Sequence, residues 1–184
     1  MPNISSLKLI AQFQTALREG WGYIYGASGE IWTQAQQNAA SREQTKKYGQ
    51  KWVGHRVADC SGLFAWAFRQ LGGYCYHGSN TIFRKYLARS GTIASAAGLR
   101  PGMAVFKWKP VTPARFSDGL GDFCHIGLVT SVSPLRIVHA STEGMAVKAD
   151  SKIGKWRYWG WLKDVAETRR INPCLLYTSD AADE

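Results

Sequence analysis

At 184 residues, with 45% hydrophobic, 12% aromatic and 20% charged side chains, the chain has the length of one domain and enough apolar content to bury a core, which excludes a wholly disordered polymer. Its formal net charge of +10 favours an anionic partner: nucleic acid, anionic membrane or anionic wall polymer. The basic residues are dispersed from Lys8 to Arg170 without a nucleic-acid motif, no apolar run is long enough to span a membrane, and residues 1–14 lack the regions of a signal peptide. Nucleic acid is therefore not expected, and export needs another route.

Residues 7–17 carry Leu7, Ile10, Ala11, Phe13 and Leu17 near helical spacing, with Gly20 as a stop, which predicts an opening helix. Segment 33–48 is rich in Gln, Ala, Lys and Arg without an apolar stripe and reads as a solvated helix or a surface insertion. From Cys60, the residues Leu63, Phe64, Ala67, Phe68 and Leu71 repeat at helical spacing up to Gly72-Gly73, the pattern of a central buried helix. A further helix is predicted over 81–89, with Ile82, Phe83, Tyr86 and Leu87 inward.

Beyond Pro101-Gly102 the reading changes to strands at 103–109, 125–132, 136–140, 145–148 and 156–162, separated by turns rich in Pro, Gly, Ser and Asp. Helices followed by strands, without alternation, predict an α+β domain whose N-terminal helices pack on a central antiparallel sheet. The aromatic run Trp156, Tyr158, Trp159 and Trp161 is assigned mainly to core packing. The domain is expected over 7–167 with a native tail at 168–173. Residues 174–184, from Cys174 to Glu184, back-translate to a sequence resembling a transposase-type sequencing adapter, so they are expected to be read-through that stands in place of whatever native chain followed Pro173.

The four cysteines, Cys60, Cys75, Cys124 and Cys174, form no CxxC pair, so neither a zinc ribbon nor a redox dithiol is expected. No metal or cofactor is called for. Cys124 beside His125 points to the opposite face of its strand and is read as a buried thiol; His55 and His77 fall in loop-like stretches and are read as surface residues. Cys60 differs. In Asp59-Cys60-Ser61-Gly62 it stands where a loop enters the central helix, among unpaired N–H groups at the positive end of the dipole, a setting expected to favour the nucleophilic thiolate. A thiolate needs a proton donor for its leaving group. His125 and His139 lie on strands that a short turn at Ser133-Pro134 brings side by side, giving His125 as general acid/base and His139 as its orienter.

The ordered set Tyr23-Ile24-Tyr25-Gly26, Asp59-Cys60-Ser61-Gly62, Leu99-Arg100-Pro101-Gly102, His125-Ile126-Gly127-Leu128-Val129 and Val138-His139-Ala140-Ser141 resembles the successive motifs of NlpC/p60 cysteine peptidases. Tyr25 stands where that family often has Trp, and segment 33–55 lengthens the gap between the first two motifs. The resemblance implies a papain-like core that hydrolyses peptidoglycan stem peptides, commonly at the D-γ-glutamyl–diamino acid amide. It implies the triad Cys60, His125 and His139, and Tyr23 beside the nucleophile as an oxyanion donor. Asp59 and Ser61 match positions where some relatives read the free amine of the stem's L-alanine. It also implies action at the bacterial cell wall, secreted or phage-delivered, by a monomer drawn to anionic wall polymers. A CHAP-type N-acetylmuramoyl-L-alanine amidase and a non-catalytic basic wall-binding module stay open beside it.

Overall fold

The computed structural model describes residues 4–167, so the expectations for 168–184 lie outside the described residues. In chain order the elements are β1 (Ile4–Ser5), α1 (Ser6–Arg18), β2 (Gly22–Tyr23), β3 (Ser28–Ile31), α2 (Gln34–Asn38), α3 (Glu43–Tyr48), β4 (Arg56–Ala58), α4 (Cys60–Gln70) and α5 (Ser79–Lys85). There follow β5 (Leu87–Thr92), β6 (Ala104–Lys109), β7 (Asp122–Val132), β8 (Leu135–Ser141), β9 (Ala146–Asp150), β10 (Trp156–Leu162) and β11 (Val165–Ala166). Nine strands form one sheet in the order β3-β4-β2-β9-β8-β7-β6-β10-β5, while β1 and β11 pair separately.

The α+β class holds, and α1 and α4 pack together against the sheet around Phe13 and Phe64, whose rings meet edge to face at 4.7 Å. Helix α4 is buried from Ser61 through Phe68, on every side, as the centre of a domain requires. Such burial stabilises by about 1.5–3 kcal/mol for each large apolar side chain.

One expectation is refined and one corrected. The central strands β2-β9-β8-β7-β6-β10-β5 pair antiparallel as expected, while β2 and β4 add one parallel pair and the chain before Cys60 supplies three strands. Those strands have only two to four residues, too few to show a period of two. The helix expected over 81–89 ends at Lys85; Leu87 instead starts edge strand β5, paired with β10. Here tertiary pairing overrides the local pattern: Leu87 fills the space above Gly160, and a Cβ at Gly91 would press on the Trp159 indole. Segment 33–48 resolves into two short helices pinned by buried Gln37, which accepts from Trp32 Nε1 at 2.9 Å and donates to the Thr45 carbonyl at 3.2 Å.

Candidate active site

Helix α4 starts under a cap. Asp59 has extended backbone, and its Oδ1 accepts from the Gly62 N–H at 2.7 Å while its Oδ2 accepts from the Gly26 N–H at 2.8 Å. One carboxylate thus fixes the helix start and the loop after β2. Gly62 is required by the same approach, since a Cβ there would collide with the Ala27 carbonyl oxygen. The result sets Cys60 at the first helical position on the wall of a cleft of about 720 Å³.

Strands β7 and β8 supply the opposite wall. Their register pairs Leu128 with Val138 and Val129 with Ile137, so His139 falls across from Gly127 and diagonal to His125. The gap left by Gly127 admits Trp156 and the His139 Cβ. His125 Nε2 lies 2.7 Å from His139 Nδ1. Trp156 stacks on His125 at 5.5 Å and meets His139 edge-on at 5.1 Å. His125 faces the cleft, whereas His139 is fully buried behind it.

The protonation states follow from burial. His125 is held down to about 3, first by burial, then by His139 and Lys107. His139 is held down to about 4 by burial, against the pull of Asp150. Both imidazoles are therefore neutral in the free protein. The Cys60 thiol is pushed up to about 12, by burial first and then by the Asp59 charge, although N–H groups of Ile126 and Ser61 aim at the sulfur. This runs against the expectation of a resting thiolate: the helix start is positive, but burial and the Asp59 charge outweigh it at the sulfur. Among the described residues no hydrogen bond joins Cys60 to His125, although both line the cleft. Buried Tyr23 lines the same cleft, and burial together with Cys60 and Asp59 raises its hydroxyl, so it remains a donor.

Cys60, His125, Tyr23, Asp59 and Ser61 all line the cleft, and His139 lies directly behind His125. Asp59 and Ser61 are already engaged, with Ser61 Oγ 3.3 Å from Asp59 Oδ1. Three neighbours escaped sequence reasoning. His77, read as a surface residue, places Nε2 2.8 Å from Asp59 Oδ1 and lines the cleft. Cys124, read as a buried thiol, is half-buried on the cleft wall, with Sγ 3.7 Å from the Lys107 carbonyl. Asp150 places Oδ2 3.2 Å from His139 Nε2, outside hydrogen-bond alignment, and accepts from Trp156 Nε1 at 3.1 Å. The strand assigned to 145–148 runs on to Asp150, and following its period of two from Lys148 would have exposed that carboxylate.

The far wall is held by Arg84 of α5, which donates to Asp118 at 2.9 Å, to the Gly121 carbonyl at 2.9 Å and to Asn80 at 2.8 Å. These bonds tie down the loop between β6 and β7, from which Arg115 lines the cleft together with Lys107 and Lys109 of β6. Among the described residues no helix is long and apolar enough to cross a membrane.

No family model and no curated protein sequence matches the chain. Solved structures do. The P60 domain of a Mycobacterium avium subspecies paratuberculosis antigen superposes on 85% of this chain with a TM-score of 0.53 at 14% identity, 93% of that domain being covered. NlpC1 from Trichomonas vaginalis matches 84% of this chain at 20% identity with a TM-score of 0.51. The peptidoglycan hydrolase RipB from Mycobacterium tuberculosis matches 84% at 17% identity, also with a TM-score of 0.51. The chain spans 44% of the length of the Trichomonas structure and 63% of that of RipB.

Proposed function

The chain has the NlpC/P60 fold, and we propose that it is a cysteine-type peptidase of that family, its unit at 7–167, which cleaves the stem peptides of peptidoglycan at the cell wall. One observation carries this reading: Cys60 at a helix start shares a cleft with His125, itself hydrogen-bonded to buried His139. RipB, named as a peptidoglycan hydrolase, adds the substrate.

In the proposed reaction the scissile amide, between D-γ-glutamate and the diamino acid, seats its carbonyl carbon against the Cys60 sulfur. His125 Nδ1 takes the thiol proton as the sulfur attacks, so Cys60 works as a base-assisted nucleophile rather than a preformed thiolate. The negative charge on the carbonyl oxygen is met by an N–H of the α4 start and by the Tyr23 hydroxyl. The C–N bond breaks, the leaving amine receives the proton from His125, and a thioester remains on Cys60. Water, deprotonated by the same imidazole, then releases the carboxylate product and returns the proton to sulfur. Lys107, Lys109 and Arg115 line the cleft, where they attract the stem's carboxylates.

Asp59 serves first as the cap of α4, and an incoming stem amine reaches its Oδ1 only by replacing His77. Digestion of intact sacculi followed by mass spectrometry tests the proposal. New glutamyl carboxyl and diamino-acid amine ends, absent with Cys60→Ala, support it. Unchanged muropeptides overturn the enzymatic reading, and a new L-alanine amine end overturns the choice of bond in favour of an amidase.

A further inference from the structure

His125, His139 and Asp150 stand on three consecutive sheet neighbours, β7, β8 and β9, each displaced diagonally from the one before. In β8 and β9, His139 pairs with Lys148 and Ile137 with Asp150, so Lys148 and Asp150 share the face of His139. The three side chains stand in a line, 2.7 Å from His125 Nε2 to His139 Nδ1 and, outside hydrogen-bond alignment, 3.2 Å from His139 Nε2 to Asp150 Oδ2.

A neutral imidazole has one donor and one acceptor nitrogen, so the first assignment in this line decides all the others. Asp150 is held as a carboxylate: burial opposes its charge, but His139, the Trp156 indole and Lys148 outweigh it and keep it below the usual range. A carboxylate offers only lone pairs. Were His139 Nε2 also a lone pair, two acceptors would face each other at 3.2 Å in a buried place, so Nε2 carries the proton. Nδ1 of His139 is then an acceptor, and a nitrogen 2.7 Å away must donate to it. That nitrogen is His125 Nε2, which leaves Nδ1 of His125 as the lone pair.

We propose that Asp150 is a positioning residue which, through His139, holds both imidazoles as Nε2–H tautomers and thereby leaves Nδ1 of His125 free to act as the base. This role in catalysis rests on the proposed Cys60 chemistry; the tautomers themselves do not. Trp156 fixes the carboxylate from the other side, since its Nε1–H occupies the same Oδ2. The remaining groups facing Asp150 are Lys148 at 3.4 Å from Oδ1, with Glu143 behind it, and Lys107 over the Trp156 ring.

Long-range 1H–15N spectra of the full chain near neutral pH test the assignment, with the two rings identified through His125→Gln and His139→Gln. The Nε2–H pattern is expected for both. An Nδ1–H pattern at either ring overturns the proposal, whatever happens with substrate. In Asp150→Asn, whose amide can donate as well as accept, mixed tautomers at both rings are expected, with kcat on sacculus-derived stems reduced about 10- to 100-fold, short of the roughly 10⁴-fold loss of a direct switch to the wrong tautomer, and KM little changed. Lys148→Met, which removes a charge beside Asp150 but leaves the line intact, should keep the wild-type tautomers. Unaltered tautomers in a folded Asp150→Asn variant also overturn the proposal. Should sacculi resist the wild-type protein, the proposed function fails, while the tautomers of the free protein still decide the role of Asp150.

Discussion

A small neutral disulfide reagent offered to the full chain near pH 7.5 reads the resting state of Cys60 directly. With the thiol pushed up to about 12, the thiolate fraction is about 3 × 10⁻⁵, against roughly 0.1 for a free cysteine near 8.5. The more basic thiolate is intrinsically more reactive, by about 25- to 50-fold over that interval, which leaves Cys60 about 100-fold slower than a free thiol. Because Cys75 and Cys124 are also raised, the Cys60 rate is taken as the difference between the wild type and Cys60→Ser. The rate should climb about tenfold per pH unit toward pH 11, following the thiolate fraction. Asp59→Asn keeps a capping oxygen while removing the charge that raises the thiol, and should raise the rate. A wild-type rate faster than free cysteine and flat from about pH 5 to 8 would reveal a standing thiolate–imidazolium pair. That result would refute the control of this sulfur by burial and by Asp59.

Other expectations follow from the same geometry. His125→Ala should lower kcat about 10²- to 10⁴-fold in the sacculus digest, whereas His139→Gln, which can still hydrogen-bond to His125, should lose less than His139→Ala. Acid should destabilise the fold: His125 and His139 bind protons in the unfolded chain near 6.5 but only near 3 and 4 when folded. Thermal midpoints should therefore fall as pH drops below about 6.5, and less steeply in His125→Gln. His77 has the opposite sign, because its hydrogen bond to Asp59 raises its folded value. Its contribution is complete below about 6.5 and is lost as pH rises through the raised value, so urea midpoints of the wild type and His77→Asn should converge at alkaline pH. Gly62→Ala should fail to fold or melt far below the wild type, because its Cβ meets backbone rather than a movable side chain.

The long elements were legible because their periods are long. Helix α4 showed itself through Leu63, Phe64, Ala67 and Phe68, and β7 and β8 through the alternation around His125 and His139. The short strands β2, β3 and β4 were not, since two to four residues cannot display a repeat and their pairing is settled by distant partners. In the candidate site, the nearness of Cys60, His125 and His139 could be read from their sequence neighbours, while that of His77 could not. Its loop between α4 and α5 carries no pattern, and only the folded chain brings it within 2.8 Å of Asp59, eighteen residues earlier. The raised thiol of Cys60 was hidden for a related reason. A helix start can be seen in a sequence, but the desolvation of the sulfur and its share of the Asp59 charge belong to the assembled cleft.

Ile4 and Ser5 lie beside Val165 and Ala166 in a parallel pair, and the Ile4 N–H donates to the Asp164 carbonyl at 2.8 Å. A unit whose entry and exit share one clasp can be grafted into an exposed loop of another protein without stretching either side. It can also be circularly permuted: a short Gly/Ser linker across the clasp, with new ends opened near Ala114, leaves the sheet order untouched. Portability of this kind would let the proposed peptidase unit be joined to other domains without disturbing its sheet.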